Sequence, residues 1–157
     1  MKIKTLTFLI FAYSIFFMAG CTNGNEGDRA IEAEFFRMGA FIEANGKEYE
    51  LKRGGYRWET RLKSGQTRVE MTDYASPFQM ASSLEAIKLE PNQHVKILNE
   101  GDPQIEVYEW TEGGRENKYE LTRNQFVTPA DKGEYIFEVF SKWKNGEASY
   151  AFVVEIQ

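Results

Sequence analysis

Apolar and polar residues alternate in short runs from residue 39 to residue 157, and turn-forming residues separate the runs. One run follows Pro91-Asn92 and ends before Asp102-Pro103, with Val95 and Ile97 as its apolar positions. Such alternation predicts a half-buried β-strand, because successive side chains point to opposite faces. Many short strands with turns every roughly 8–12 residues predict a sandwich or a barrel.

The dipeptide Asn45-Gly46 predicts a β-hairpin with a type I′ turn, because Asn and Gly tolerate the positive φ that both central positions need. A two-residue loop at this point pairs Ile42 with Tyr49 and Ala40 with Leu51. Apolar residues then face apolar residues, which supports the register.

Asn145-Gly146 predicts a second hairpin near the C-terminus. The predicted pairs are Trp143 with Ala148, Ser141 with Tyr150, Val139 with Phe152, Phe137 with Val154, and Tyr135 with Ile156. Charged residues point the other way, namely Glu138, Lys142, Glu147 and Glu155. A slip of one residue would exchange the two faces.

Gly113-Gly114 predicts a third hairpin, with Tyr108 opposite Tyr119 and an exposed ion pair between Glu109 and Lys118. Between the hairpins, Ser76, Pro77 and Gln79 form a helix-start pattern with a capping box, which predicts a helix over 77–84. Residues 29–38 fit either a short helix or the start of a strand.

The chain opens with MKIKTLTFLIFAYSIFFMAGC. Lys2 and Lys4 precede an apolar run that is too short for a comfortable membrane span, and small residues lead into Cys21. The segment resembles a bacterial lipobox. This resemblance implies cleavage before Cys21 and attachment of diacylglycerol and palmitate-type chains to it, on the outer face of a cell membrane. The expected organisation is a signal peptide over 1–20, a lipidated cysteine and tether over 21–38, and one domain over 39–157.

Net charge limits the kinds of partner that the mature chain can bind, and cysteine content limits how its core can be stabilised. Removing Lys2 and Lys4 leaves 17 basic and 24 acidic residues, a formal charge of −7, which argues against nucleic acid. Cys21 is the only cysteine, so no intramolecular disulfide can form. The core must therefore depend on packing, for which the 15% aromatic residues are suited.

The stretch DKGEYIF at 131–137, with IEVYEW before it and ASYAFVVEI after it, resembles the C-terminal half of an immunoglobulin- or fibronectin-like domain. The resemblance implies an all-β, immunoglobulin-like antiparallel sandwich with one short helix. Asp131, Gly133 and Tyr135 match the family's tyrosine corner, in which the hydroxyl bonds to upstream backbone. Phe137 stands where antibody-type members carry a disulfide cysteine.

A second resemblance covers NGKEYELKRGGYRW, TDYASPFQMA, VYEW and GEYIFEVFSKWKNGEASYAF. These stretches are similar to small uncharacterised lipoproteins of Gram-positive bacteria, especially bacilli, and imply no particular activity. In size and strand style the chain is also similar to small sandwich-type proteinase inhibitors of bacilli.

Residues suited to catalysis are scarce. His94 is the only histidine. It lies in the same strand as Val95 and Ile97 but on the other face, which is expected to face solvent. No zinc cage, nucleophile elbow or phosphate loop is present in the sequence. Carboxylates are plentiful, and we interpret them as a solvated surface in preference to a hydrolytic pair. A calcium site from Asp73, Asp102 or Asp131 lacks a supporting motif. We expect no cofactor and no metal.

The sequence therefore predicts a non-catalytic, lipid-anchored binding module for an unknown envelope protein or glycan. The candidate contact residues are Trp58, Gly113, Gly114, Asn145 and Gly146. Trp58 is included because Gly54-Gly55 could bend its strand outward, although aromatics at alternate strand positions are more often core. The alternatives are an extracellular proteinase inhibitor and, behind it, a small carboxylate-dependent hydrolase. Whether residues 39–72 join the main sandwich stays open.

Overall fold

The computed structural model describes residues 39–157. The expected signal peptide, Cys21, the tether and the element over 29–38 lie outside the described residues.

Within that range the chain forms eleven strands and one helix. The strands are β1 (Ala40–Ala44), β2 (Lys47–Glu50), β3 (Lys52–Arg61), β4 (Thr67–Thr72), β5 (Ile87–Leu89), β6 (His94–Asn99), β7 (Gln104–Thr111), β8 (Gly114–Tyr119), β9 (Gln125–Val127), β10 (Gly133–Trp143) and β11 (Gly146–Ile156). The helix, α1 (Pro77–Ala81), lies between β4 and β5.

The strands form two sheets that pack face to face. The small sheet has the order β2-β1-β6-β9, and the large sheet has the order β4-β3-β11-β10-β7-β8. β5 adds a short parallel pair beside the C-terminal end of β11. Residues 39–72 belong to the sandwich itself, because β1 and β2 lie in the small sheet and β3 and β4 in the large one.

The strand order supports the immunoglobulin-like assignment made from the sequence. The neighbours β11-β10-β7-β8 match the G-F-C-C′ order of variable-type domains, and the adjacent strands β6 and β9 match B and E. The all-β sandwich with one short helix is confirmed.

The core lies between the sheets, on the faces that the alternation predicts. The small sheet contributes Ile42, Val95 and Ile97, and the large sheet contributes Val107 and Val139, all at most 2% exposed. Burial of side chains of this kind stabilises the fold by about 1.5–3 kcal/mol each.

Phe137 fills the place of the missing disulfide. It is fully buried, and its ring centroid lies 5.3 Å from those of Tyr119 and Phe126 and 5.2 Å from that of Phe152. Phe126 belongs to β9 of the small sheet, so these contacts join the two sheets. Aromatic packing thus supplies the connection between sheets that a disulfide supplies elsewhere.

The tyrosine corner is present at the start of β10. The Tyr135 hydroxyl donates to the main-chain carbonyl of Asp131 at 3.0 Å, as the resemblance implied. This bond holds the 131–134 turn against the strand that carries Phe137.

The first hairpin has the predicted register. Ile42 pairs with Tyr49, and the Leu51 N–H donates to the Ala40 carbonyl at 2.8 Å. Asn45 and Gly46 have φ of 55° and 72°, as a type I′ turn requires.

The second hairpin forms, but its predicted register is wrong by two residues. Lys144 and Asn145 make the turn, and Gly146 pairs with Trp143, so that Phe137 faces Phe152 instead of Val154. The neighbouring strand β3 explains the shift. Its Glu59 N–H donates to the Asn145 carbonyl at 2.7 Å, which makes the end of the hairpin part of a three-stranded ladder. A slip of two residues keeps every side chain on its predicted face.

The third hairpin also forms with a different register. Glu112 and Gly113 make the turn, and a bulge follows at Glu109 and Trp110. Tyr119 therefore pairs with Val107 rather than Tyr108, which places its ring in the core. The predicted ion pair between Glu109 and Lys118 is wrong, because Lys118 now lies on the other face and pairs with Glu106.

The helix begins as predicted and ends earlier. The Ser76 hydroxyl accepts from the Gln79 N–H, and the Gln79 side chain accepts from the Ser76 N–H, completing the capping box. The helix ends at Ala81 rather than at residue 84. Ser82 and Ser83 hydroxyls donate to preceding main-chain carbonyls, an alternative bond that favours termination.

Trp58 is buried, which corrects its place among the candidate contact residues. It is 3% exposed, and its ring packs edge-on against that of Trp143 at 5.6 Å. The strand does have an irregular register where Gly54-Gly55 lie, but the bulge does not turn Trp58 outward. Gly146 makes room for it, since a Cβ at that position would lie 2.1 Å from Trp58 Cε3.

We therefore expect Gly146→Ala to lower the free energy of unfolding by about 1–3 kcal/mol, because the added methyl group overpacks the Trp58 ring and the Arg57 carbonyl. Chemical denaturation followed by tryptophan fluorescence measures the change. Gly113→Ala is the control, within the turn of another hairpin, where a Cβ meets nothing closer than 3.7 Å. Equal stability of the two variants would contradict this account of Gly146.

Candidate functional site

A groove of about 810 Å³ opens where the chain crosses from the small sheet to the large sheet. β2 ends at Glu50 and β3 begins at Lys52, so the crossing takes place at Leu51. Leu51 is buried and bonded to β1, which fixes the two strands as diverging walls. The volume lies within the range of pockets that hold small ligands, roughly 300–1,000 Å³.

The floor of the groove is apolar and the walls are polar. Leu51, Ala151 and Phe152 are buried at the base of the groove. Ile87 of β5 adds a half-buried apolar side chain to the lining. The segment 84–88 forms the wall opposite β2. Three separate parts of the chain therefore build the groove.

Basic side chains dominate the charged groups of the groove. Lys47, Lys52, Arg53 and Lys88 line it, against Glu50 and Glu85. Residues 39–157 as a whole hold 15 basic and 20 acidic residues. The groove is thus locally cationic on a domain with net negative charge, which favours an anionic ligand.

The cations differ in their surroundings. The Lys47 ammonium lies 4.6 Å from the centroid of the Tyr49 ring, a cation–π contact on the β2 wall. The Lys88 ammonium lies 3.9 Å from a carboxylate oxygen of Glu155, and both side chains are largely exposed. Exposed ion pairs of this kind contribute little to the stability of the fold, and they leave the ammonium group accessible to a ligand.

Tyr150 lies below these cations. It is 1% exposed, and burial raises the pKa of its hydroxyl above the ordinary value, while the nearby charge of Arg53 opposes the rise. Its hydroxyl therefore stays protonated at neutral pH, and its hydrogen-bond partners are Asn99 and Arg53.

The predicted contact residues lie elsewhere. Gly113 and Asn145 are exposed within their two-residue turns, Gly114 and Gly146 are half-buried at the adjoining strand ends, and Trp58 is in the core. None of the five lines the groove.

The residues weighed for catalysis or metal binding are dispersed. His94, Asp73, Asp102 and Asp131 are all exposed. Among residues 39–157, no three His, Cys, Asp or Glu side chains are placed to hold a metal ion.

A second polar cluster, which the sequence reading missed, lies on the outer face of the large sheet. The Glu138 carboxylate is 3% exposed and accepts from Trp110 Nε1 at 2.7 Å, from Ser149 Oγ at 2.7 Å, and from Arg115 Nε and Nη2 at 2.7 and 3.0 Å. The Arg115 guanidinium also lies 4.1 Å from the Tyr108 ring centroid. Trp110 and Tyr108 therefore belong to this outer-face cluster and not to the core between the sheets.

The cluster is a structural clamp between β7, β8, β10 and β11. Each Glu138 oxygen accepts two hydrogen bonds, so little capacity remains for a ligand. The ion pair with Glu138 raises the pKa of Arg115, which keeps the guanidinium charged. The sequence signal was a single Glu within the apolar stretch 135–140 of β10, which the alternation assigned to the solvent-facing side.

We expect Glu138→Ala to lower the free energy of unfolding by about 1–3 kcal/mol, because it leaves three donor side chains without their shared acceptor, while the partly exposed Arg115 regains water. Thermal and denaturant unfolding measure the effect. Glu134→Ala, at an exposed position of the same strand, should change the stability by less than about 0.5 kcal/mol. A Glu138→Ala protein as stable as the control would show that the clamp is energetically neutral.

Comparison with protein-family models, with curated proteins and with solved structures finds no match to this chain. No helix among residues 39–157 is long and apolar enough to cross a membrane.

Proposed function

We propose that this protein is a non-catalytic binding module of the cell envelope, anchored to the outer face of a membrane through lipid on Cys21, and that the groove at Leu51 holds an anionic ligand. The proposed site rests on one observation, the excess of cations in the groove. Four basic side chains line it against two carboxylates, on a domain with a net negative charge.

The groove suits an anion for two physical reasons. The buried apolar floor is a region of low dielectric constant, so the charges of Lys52 and Arg53 act more strongly above it than they would on an open surface. The half-buried ring of Tyr49 adds polarisable surface beside the charges. Carboxylate or phosphate groups on an envelope polymer or on a small solute share the chemistry that these groups recognise.

The same geometry supports binding over hydrolysis. Glu50 and Glu85 are both exposed, whereas a general acid needs a carboxyl group partly removed from water. The structure also gives little support to the alternative function, a proteinase inhibitor. The turns at Glu112-Gly113 and Lys144-Asn145 contain two residues each, too few to enter a protease cleft as an extended segment.

The anchor is tested by metabolic labelling of cells with an alkyne analogue of palmitate. We expect the wild-type protein to take up label and to fractionate with membranes, because a dually or triply acylated cysteine is held stably on a bilayer. Cys21→Ser should abolish both the label and the membrane association. Membrane retention of Cys21→Ser without label would contradict anchoring through this residue.

The groove is tested by binding of the membrane-reconstituted protein to two defined polyanions, inorganic polyphosphate and poly-L-glutamate. We expect saturable, salt-sensitive binding, weakened at least about tenfold by the double substitution Lys52→Glu/Lys88→Glu. The ratio of the two affinities indicates whether phosphate or carboxylate is preferred.

The matched control is Lys132→Glu/Lys142→Glu, which changes the net charge equally at exposed positions outside the groove. If both double variants weaken binding to the same extent, the attraction comes from overall charge and the groove is not the site. Absence of binding to either polyanion would contradict the anionic ligand while leaving the anchor test unaffected.

A further inference from the structure

The strand β4 forms one edge of the large sheet. Within residues 39–157 it is hydrogen-bonded to β3 on one side only, so the backbone N–H and C=O groups of its other side face outward. Such an edge is a template for pairing with a further strand.

β4 exposes more large apolar side chains than the other edge strands of residues 39–157, since the three-residue edge strand β9 exposes one, Val127 at 40%. β8 carries Arg115, Glu116, Asn117 and Lys118, and β2 carries Lys47, Glu48 and Glu50, which are charged or polar residues of the kind that keep edges apart. β4 instead exposes two large apolar side chains, Val69 at 44% and Met71 at 64%.

The sequence TRVEMT of β4 is complementary to itself in one antiparallel register. With Val69 of one chain opposite Val69 of another, Arg68 lies opposite Glu70 of the other chain and Met71 opposite its Thr67. Two-fold symmetry produces the Arg68–Glu70 and Met71–Thr67 pairs twice each, and the Val69 pair once. Two opposite-charge pairs then lie on one face of the joined sheets, with apolar contacts on the other.

The neighbouring register that keeps each side chain on the same face of the sheet, with Glu70 opposite Glu70, is disfavoured. Centring the pair on Glu70 places two carboxylates opposite each other and leaves Arg68 opposite Thr72. Like charges directly opposite are destabilising. Charge therefore selects the register centred on Val69, and the Arg68–Glu70 pair of each monomer, at 2.6 Å, exchanges for two pairs between chains.

We propose that β4 is a self-association surface at which a second copy of this chain adds antiparallel, joining two large sheets into one continuous sheet across a two-fold axis at Val69. The proposal is independent of the ligand of the groove. A strand pair of six residues is a small interface, so the dimer in solution is weak. Confinement of anchored chains to one membrane raises their effective concentration and strengthens it.

Symmetric cross-linking in membranes tests the register directly. Val69→Cys places two thiols opposite each other, where cross-strand Cβ atoms are about 5 Å apart. Met71→Cys, at the more exposed apolar position of the same face, places its thiols about 13 Å apart along the strands. We expect an oxidant to form the dimer at least about tenfold faster through Cys at 69 than through Cys at 71, with the wild-type chain as the blank for Cys21. Equal rates for the two variants would reflect random collision and would overturn the proposal.

A charge exchange gives the second test. The full chain is extracted in detergent and its mass is followed with concentration by light scattering, with circular dichroism to confirm folding. Arg68→Glu should weaken the dimer about tenfold, since it replaces two attractions with two repulsions. Adding Glu70→Arg to it restores opposite charges in the same register and should restore the dimer. A wild-type chain that is monomeric throughout, or a double variant no better than the single one, would overturn the self-association.

Discussion

The packing of Phe137 against the small sheet is the interaction on which the rest of the fold depends. No disulfide joins the two sheets, so apolar contact holds them together. Phe137 of the large sheet contacts Phe126 of the small sheet within a cluster that also includes Tyr119 and Phe152. The bond from Tyr135 to the Asp131 carbonyl positions the strand that carries it. The corner motif therefore contributes to the core, and a ring in place of the sulfur keeps the sheets in contact.

This dependence on the core divides the large sheet into two chemically different faces. The inner face is apolar, whereas the outer face holds the buried Glu138 with four hydrogen bonds from Trp110, Arg115 and Ser149. A carboxylate so fully bonded stabilises strand order and is closed to a ligand. The groove, by contrast, forms where the sheets diverge at Leu51, and there exposed cations face solvent above an apolar floor. We therefore expect a ligand to bind at the groove, where the two sheets diverge.

Local sequence predicted the hairpin at Asn45-Gly46, the capping box of α1 and the core positions, because each depends on residues close together in the chain. The register of the last hairpin could not be read in the same way. A slip of two residues leaves the faces unchanged, so alternation cannot detect it, and the neighbouring strand β3 decides it through Glu59 and Trp58. The inward or outward position of Trp58 was undecided for the same reason, since it depends on Gly146 from a remote strand.

By itself, the sequence determined the alternating strands, the corner at Tyr135 and the buried place of Phe137, because side-chain period and turn chemistry are local properties. Only the tertiary structure decided the groove and the buried Glu138. The groove combines the segments 47–53, 84–88 and 150–152, which come together only when the two sheets pack. Glu138 reads as a surface residue in its own strand and becomes buried when Arg115 and Trp110 cover it. Both features depend on contacts between distant residues, which no local pattern records.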